Sequence, residues 1–217
     1  DDAETRPRKA IIQMITIIDY GVGNINAFVN VYKRVNVPTK IAKTAADLED
    51  AQKIILPGVG HFDHAMSELI KSGMRDKLNE LVMVQKIPVI GICVGMQMMG
   101  NSSDEGKLRG LGWIDASIKK FDETKIQQVT RLPHMGWNDV HPVISNPLFV
   151  GLEKEALFYF LHSYYFECNN KADVLATSEY GGEFTCAAHH ENVYGIQFHP
   201  EKSHHYGETL LHNFAKL

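Results

Sequence analysis

Residues 88–95 read PVIGICVG. The apolar, β-branched run that opens with Pro88 has the character of a strand buried on both faces of a parallel sheet. Residues 94–99 (VGMQMM) begin a helix. A strand that passes into a helix through Gly-x-Cys-x-Gly must turn a sharp corner. Gly91 and Gly95 allow the tight backbone and remove side chains that would crowd Cys93. At that corner Cys93 stands at the N-terminus of the helix, where the dipole favours thiolate over thiol. The N–H of Val94 is then free to face an oxyanion. A buried structural cysteine is the competing reading, because free Cys is among the most buried residue types. Cys168 and Cys186 lack the glycine frame and read as structural.

On the N-terminal side, residues 14–19 (MITIID), 38–41 and 53–56 (KIIL) are further strand candidates, and 27–35, 63–72 and 74–84 have helical spacing. Strands that alternate with helices predict a parallel sheet covered on both faces. The pattern changes after Gly110. Residues 111–121, 140–144, 157–161, 164–167, 174–177, 185–189 and 193–198 are short strand candidates, and 205–216 closes the chain as an amphipathic helix. The expected fold is one α/β domain over 14–217, with a mixed, mostly parallel central sheet and a β-rich second half. Residues 1–13 lack the apolar core of a secretory signal. Met14 reads as a plausible start, and 1–13 as an extension.

The 217 residues are 44% hydrophobic, with net charge −4. That balance gives no electrostatic reason to expect nucleic acid or a membrane surface, and no run of eighteen apolar residues is present. Three widely spaced cysteines argue against a disulfide scaffold and for a reducing, cytoplasmic setting.

A thiolate nucleophile needs a group to hold its proton and return it to the leaving amine. Histidine suits that task, and a carboxylate fixes its tautomer. Eleven histidines are available, but His199 follows the apolar run 193–198 and precedes Pro200 and Glu201. Strand C-terminal ends form the functional edge of a parallel sheet, so Cys93 and His199 are expected at one edge. Pro200 biases His199 toward an extended conformation, which would point His199 and Glu201 the same way. A surface loop that happens to hold a His and a Glu is the bland alternative. No Cys or carboxylate completes a metal site around His204 and His205, so no metal is expected.

Together these stretches resemble a known family. GICVGMQ at 91–97 with HPE at 199–201 is similar to the triad of class I glutamine amidotransferases, which have a flavodoxin-like α/β fold. IIDYGVGN at 17–24, LPGVG at 56–60, PHMGWN at 133–138, FLHSYY at 160–165 and YGIQFHPEKS at 194–203 resemble the glutaminase subunits of imidazole glycerol phosphate synthase. The resemblance runs over nearly all of 14–217. It implies Cys93 as nucleophile, His199 as base and Glu201 as its orienter. It also implies an oxyanion hole from Val94 and the backbone of Gly58, Val59 and Gly60. Glycines on either side of Val59 make a peptide flip there cheap.

By the same resemblance Gln97 and Glu105 hold glutamine, with His162, Ser163 and Tyr164 on the pocket wall. Gln97 lies one helical turn from Cys93, whereas Glu105 also reads as a solvated loop charge and Tyr164 as packing. The implied partner is a (β/α)8-barrel cyclase, joined through Tyr20, Asn24, Trp137, Asn138 and Lys202; a core tryptophan is the alternative for Trp137. No cofactor is implied. Val94 departs from the leucine usual after the nucleophile, but only its backbone N–H is needed. The competing functions are an ammonia-supplying paralogue for surface-polysaccharide sugars, a stand-alone cysteine peptidase or γ-glutamyl hydrolase, and a non-catalytic interaction subunit.

Overall fold

The computed structural model describes residues 12–217; the extension expected at the start of the chain lies largely outside them. The first half alternates as the pattern predicts. Strand β1 (Ile15–Ile18) leads to helix α1 (Ile25–Arg34), β2 (Thr39–Ala42), β3 (Lys53–Leu56), α2 (Phe62–Lys71), α3 (Arg75–Asn79), β4 (Val89–Ile92) and α4 (Val94–Gln97). All residues of β1, β3 and β4 are buried, as expected where both sheet faces are covered. Helix α1 begins where the Asn24 side chain accepts from the Ala27 N–H and ends with Lys33 and Arg34 in its last turn, which matches the polarity of the helix dipole.

The second half contains β5 (Ser102–Ser103), β6 (Ala116–Lys120), β7 (His134–Asp139), β8 (His141–Pro142), β9 (Leu157–His162), β10 (Tyr164–Cys168), β11 (Val174–Glu179), β12 (Glu183–His190), β13 (Val193–Ile196) and α5 (His204–Ala215). The central sheet runs β2-β1-β3-β4-β13-β12-β10-β6-β5. β2, β1, β3, β4 and β13 are mutually parallel, and β12 turns the sheet antiparallel. β7 and β9 form a separate two-stranded sheet.

The mixed, mostly parallel sheet and the β-rich second half are as expected. Residues 133–138, among which the sequence offers no strand candidate, are a finding of the structure: 134–139 form β7, paired antiparallel with β9 from His134↔His162 to Asp139↔Leu157. Its inward residues include a histidine and its outward ones a tryptophan, so apolar alternation is hidden. Residues 74–84 are helical as expected, with α3 running without a break into a π-helical turn at Glu80–Val84.

Two features set the site. In register, Val193↔Val89 through Ile196↔Ile92, β13 and β4 end side by side. Helix α5 is locked to the sheet by buried Lys53, whose Nζ donates to the Ala215 carbonyl at 2.7 Å, a cation satisfying a free C-terminal carbonyl. No helix of the described residues is long and apolar enough to cross a membrane.

Candidate active site

Cys93 sits between β4 and α4 with φ 55° and ψ −114°. A non-glycine residue there carries strain of about 1–3 kcal/mol and persists only when its surroundings over-determine it. Here the Cys93 N–H donates to the Ile196 carbonyl at 2.8 Å and the Cys93 carbonyl accepts from the Gln97 N–H at 3.2 Å. Gly95 packs so tightly that a Cβ on it would stand 2.0 Å from the Leu56 carbonyl oxygen. The corner predicted from GICVG is therefore present. Helix α4, however, is a single turn over Val94–Gln97, shorter than the 94–99 expected. Its dipole is correspondingly small, and the sulfur depends more on its side-chain neighbours.

Those neighbours come from the segment that follows β13. The His199 N–H donates to the Tyr159 carbonyl on β9 at 2.8 Å, and the Ser203 hydroxyl donates to the His199 carbonyl. The backbone at His199 is extended, but Pro200–Lys202 is a 3-10 turn, not the extended segment expected from sequence. The turn still brings the pair together: Glu201 Oε1 lies 2.7 Å from His199 Nδ1. Both side chains are almost wholly buried, at 5% and 3% exposure. Burial alone would lower the pKa of the His199 imidazole. Hydrogen bonding and charge from Cys93 and from Glu201 outweigh it and raise the value to about 10.

Cys93 and His199 line one cavity of about 310 Å³, at the small end of ligand pockets. The walls include every residue assigned to glutamine from sequence: Gln97, Glu105, His162, Ser163 and Tyr164. Gln97 is buried, and its Nε2 donates to the Tyr164 carbonyl at 3.3 Å. Glu105 is not simply a solvated charge, since Oε1 accepts from the Phe62 N–H and caps α2. His162 is buried with its Nδ1 2.7 Å from the Tyr164 carbonyl, and burial pushes its pKa down to about 3.

The expected oxyanion hole is not assembled. Val59, Gly60 and Val94 line the cavity, but the Val94 N–H donates to the Gly58 carbonyl at 3.3 Å. That carbonyl occupies the direction an oxyanion would need. Gly58 itself is held close, because a Cβ there would stand 2.6 Å from the Gly95 N.

The surface assignments divide. Trp137 is 45% exposed and stacks on His204 at 5.4 Å, so it is not a core tryptophan. Met135 on the same strand face is also exposed. Asn24 and Lys202 are exposed, with Lys202 Nζ 5.8 Å above the Tyr159 ring. Asn138 is half-buried, and its Nδ2 donates to the Glu179 carbonyl at 2.8 Å. Tyr20 is a correction: it is 5% exposed, with its hydroxyl donating to the Pro57 carbonyl at 2.6 Å, so it supports the site from within rather than offering a surface. Burial takes its pKa well above the ordinary range. Sequence reasoning missed Gln197, fully buried with Nε2 3.6 Å from Cys93 Sγ, and His134, buried with Nδ1 2.9 Å from His162 Nε2. The signal for Gln197 was an amide between Ile196 and Phe198 in an otherwise apolar run.

A cysteine on a strained strand–helix corner, facing an imidazole backed by a carboxylate, defines a class of thiol amidase, and comparison with known proteins gives it a family. The sequence profile of the class-I glutamine amidotransferases matches residues 16–217, and the chain belongs to that family. Within it, the chain is 58% identical to imidazole glycerol phosphate synthase subunit HisH of Bdellovibrio bacteriovorus, over 94% of this chain and 100% of that one. It is 53% identical to the subunit of the same name from Leptospira borgpetersenii, with the same coverage. Among solved structures, PurLQS from Thermotoga maritima superposes with a TM-score of 0.71 at 14% identity, over 94% of this chain and 98% of that one. This likeness speaks for the fold.

Proposed function

We infer that the chain is the glutaminase subunit of an imidazole glycerol phosphate synthase. It hydrolyses L-glutamine to glutamate and ammonia and hands the ammonia to a (β/α)8-barrel cyclase subunit, which makes imidazole glycerol phosphate and AICAR in histidine biosynthesis. The observation that carries this reading is the shared cavity of Cys93 and His199, with Glu201 Oε1 2.7 Å from the far nitrogen of the imidazole.

The Cys93 thiolate attacks the side-chain amide carbon of glutamine, and the carbonyl π-electrons move to oxygen. The His199 imidazolium gives its proton to the amide nitrogen as the C–N bond breaks and ammonia leaves. Neutral His199 then takes a proton from water, whose oxygen attacks the γ-glutamyl thioester. The C–S bond breaks, glutamate departs, and the thiolate–imidazolium pair is restored. General acid–base steps of this kind contribute roughly 10²–10⁴-fold.

The oxyanion needs a donor that is engaged elsewhere in this conformation. Turning the Gly58–Val59 peptide removes its carbonyl from Val94 and presents the Val59 N–H to the same point. A single donor of that kind is worth about 10²–10³ in kcat. Low glutaminase activity in the isolated chain follows from the closed hole. The exposed Trp137, Asn24 and Lys202, with half-buried Asn138 beside them, supply the face on which the cyclase docks. A cytoplasmic location suits three unpaired cysteines.

The test is a steady-state assay of glutamine consumption by the purified chain, alone and with the cyclase subunit and its nucleotide substrate. Turnover should rise by at least about two orders of magnitude on assembly, matching the recovery of one oxyanion donor. Full activity of the chain alone would point to a stand-alone γ-glutamyl hydrolase. Ammonia transfer only to a sugar-modifying partner would point to the polysaccharide paralogue. The names of the relatives from 40% to 58% identity favour histidine biosynthesis.

A further inference from the structure

Gln197 is fully buried just after β13, and its side chain meets two groups: Oε1 accepts from Gln97 Nε2 at 3.0 Å, and Nε2 lies 3.6 Å from Cys93 Sγ. The direction of this amide is fixed by a group at some remove. The Tyr164 carbonyl can only accept. It receives Gln97 Nε2 at 3.3 Å and His162 Nδ1 at 2.7 Å. Gln97 must therefore point its NH2 at Tyr164, and that same NH2 meets the Gln197 carbonyl oxygen. Reversing Gln97 would set two carbonyl oxygens against each other, and reversing Gln197 would set two NH2 groups against each other, at side chains buried to 3% and 0% exposure, where such a mismatch is costly. The only orientation left aims the Gln197 N–H at the nucleophile's sulfur.

We propose that Gln197 is a further catalytic residue of this site: its side-chain N–H donates to the Cys93 thiolate and holds the sulfur ionised and in position for attack. The sulfur has an opposing neighbour. The Leu161 carbonyl lies 3.9 Å away and can accept only from the S–H form. The Leu161 carbonyl thus favours thiol and Gln197 favours thiolate, and a donor to a charged acceptor is the stronger of the two. This role also suits a corner whose one-turn helix offers little dipole. The assignment rests on Cys93 being the nucleophile of the proposed function and adds how its charge is kept.

The experiment reads the rate of iodoacetamide alkylation of Cys93 against pH, by mass spectrometry of the Cys93 peptide, in the full chain. The ionisable groups around the sulfur are Tyr20, Glu105, His162, Tyr164, His199, Glu201 and Lys202, and all are retained in the variants. In Gln197→Met the rate at neutral pH should fall about tenfold and the profile should move about one unit toward higher pH, the size expected for losing one hydrogen bond to a charge. The plateau at high pH should be unchanged. Gln197→Glu should move the profile the same way and further. A residue that only fills space would alter the plateau and leave the midpoint in place. Superimposable profiles for wild type and folded variants would overturn the proposal. Should neither variant fold, the Gln197 side-chain amide resonances of the wild type decide: they should shift through the alkylation midpoint, and resonances that stay fixed would overturn the proposal. Alkylation reports ionisation whatever the substrate, so failure of the glutaminase reading would show separately, as absence of glutamine consumption by the wild-type complex.

Discussion

Cys93→Ala should lower glutamine hydrolysis by at least about 10⁴-fold, while the assembled synthase still makes product from added ammonium salts. Removing the nucleophile from a triad of this logic costs about as much as removing the whole triad. The reason lies in the division of labour. His199 and Glu201 have nothing to act on without the sulfur, and ammonia bypasses the chemistry they perform. The substitution should leave the fold intact. Alanine meets the same φ of 55° that cysteine meets, and the corner is held by backbone bonds from Cys93 to Ile196 and from Gln97 to Cys93, not by the sulfur. Equal losses with glutamine and with ammonium would mean that Cys93 shapes the partner interface instead. The measurement is kcat for product formation with each nitrogen source, in the same complex.

Glu201→Gln carries the second large effect, a fall of about 10²–10⁴ in kcat for glutamine with little change in KM. The carboxylate is nearly inaccessible and lies 2.7 Å from His199 Nδ1, so its charge acts on the imidazole without solvent screening. An amide of the same shape can still accept one hydrogen bond but contributes no charge. The sign of the pH effect follows. His199 is raised to about 10 against the pull of burial, by Cys93 and Glu201 together. In the wild type the imidazolium therefore survives as pH climbs and is lost near 10. Taking away the Glu201 charge removes one of the raising influences, so the alkaline limb of kcat/KM should move to lower pH. A limb that stays in place would mean that Glu201 only packs.

Much of this site is legible in the amino-acid sequence. Cys93, His199 and Glu201 stand on motifs where local chemistry and position agree: an apolar strand running into Gly-x-Cys-x-Gly, and another apolar strand followed by His-Pro-Glu. What the sequence hides depends on distant chain segments. The Gly58 carbonyl on Val94 is a contact between two turns, and no local pattern announces which way a peptide plane faces. Gln197 looks like an interruption in a strand until Gln97 and Tyr164 converge on it. Tyr20 is placed at the partner surface only by the family resemblance, yet its hydroxyl donates to the Pro57 carbonyl inside the protein. β7 escapes notice because its inward positions are polar or small: His134 is paired with His162, Gly136 takes φ +129°, and half-buried Asn138 is bonded to the Glu179 carbonyl.

Whether Cys93 is the nucleophile, paired with His199, can be read from a covalent label. The chain, in complex with its cyclase, is treated with an electrophilic analogue of glutamine that carries a leaving group at the amide position, and the digest is read by mass spectrometry. One adduct is expected, on Cys93 alone, suppressed by glutamine and lost in His199→Ala at neutral pH. Label on Cys168 or Cys186, or undiminished labelling of Cys93 with saturating glutamine present, would contradict the assignment.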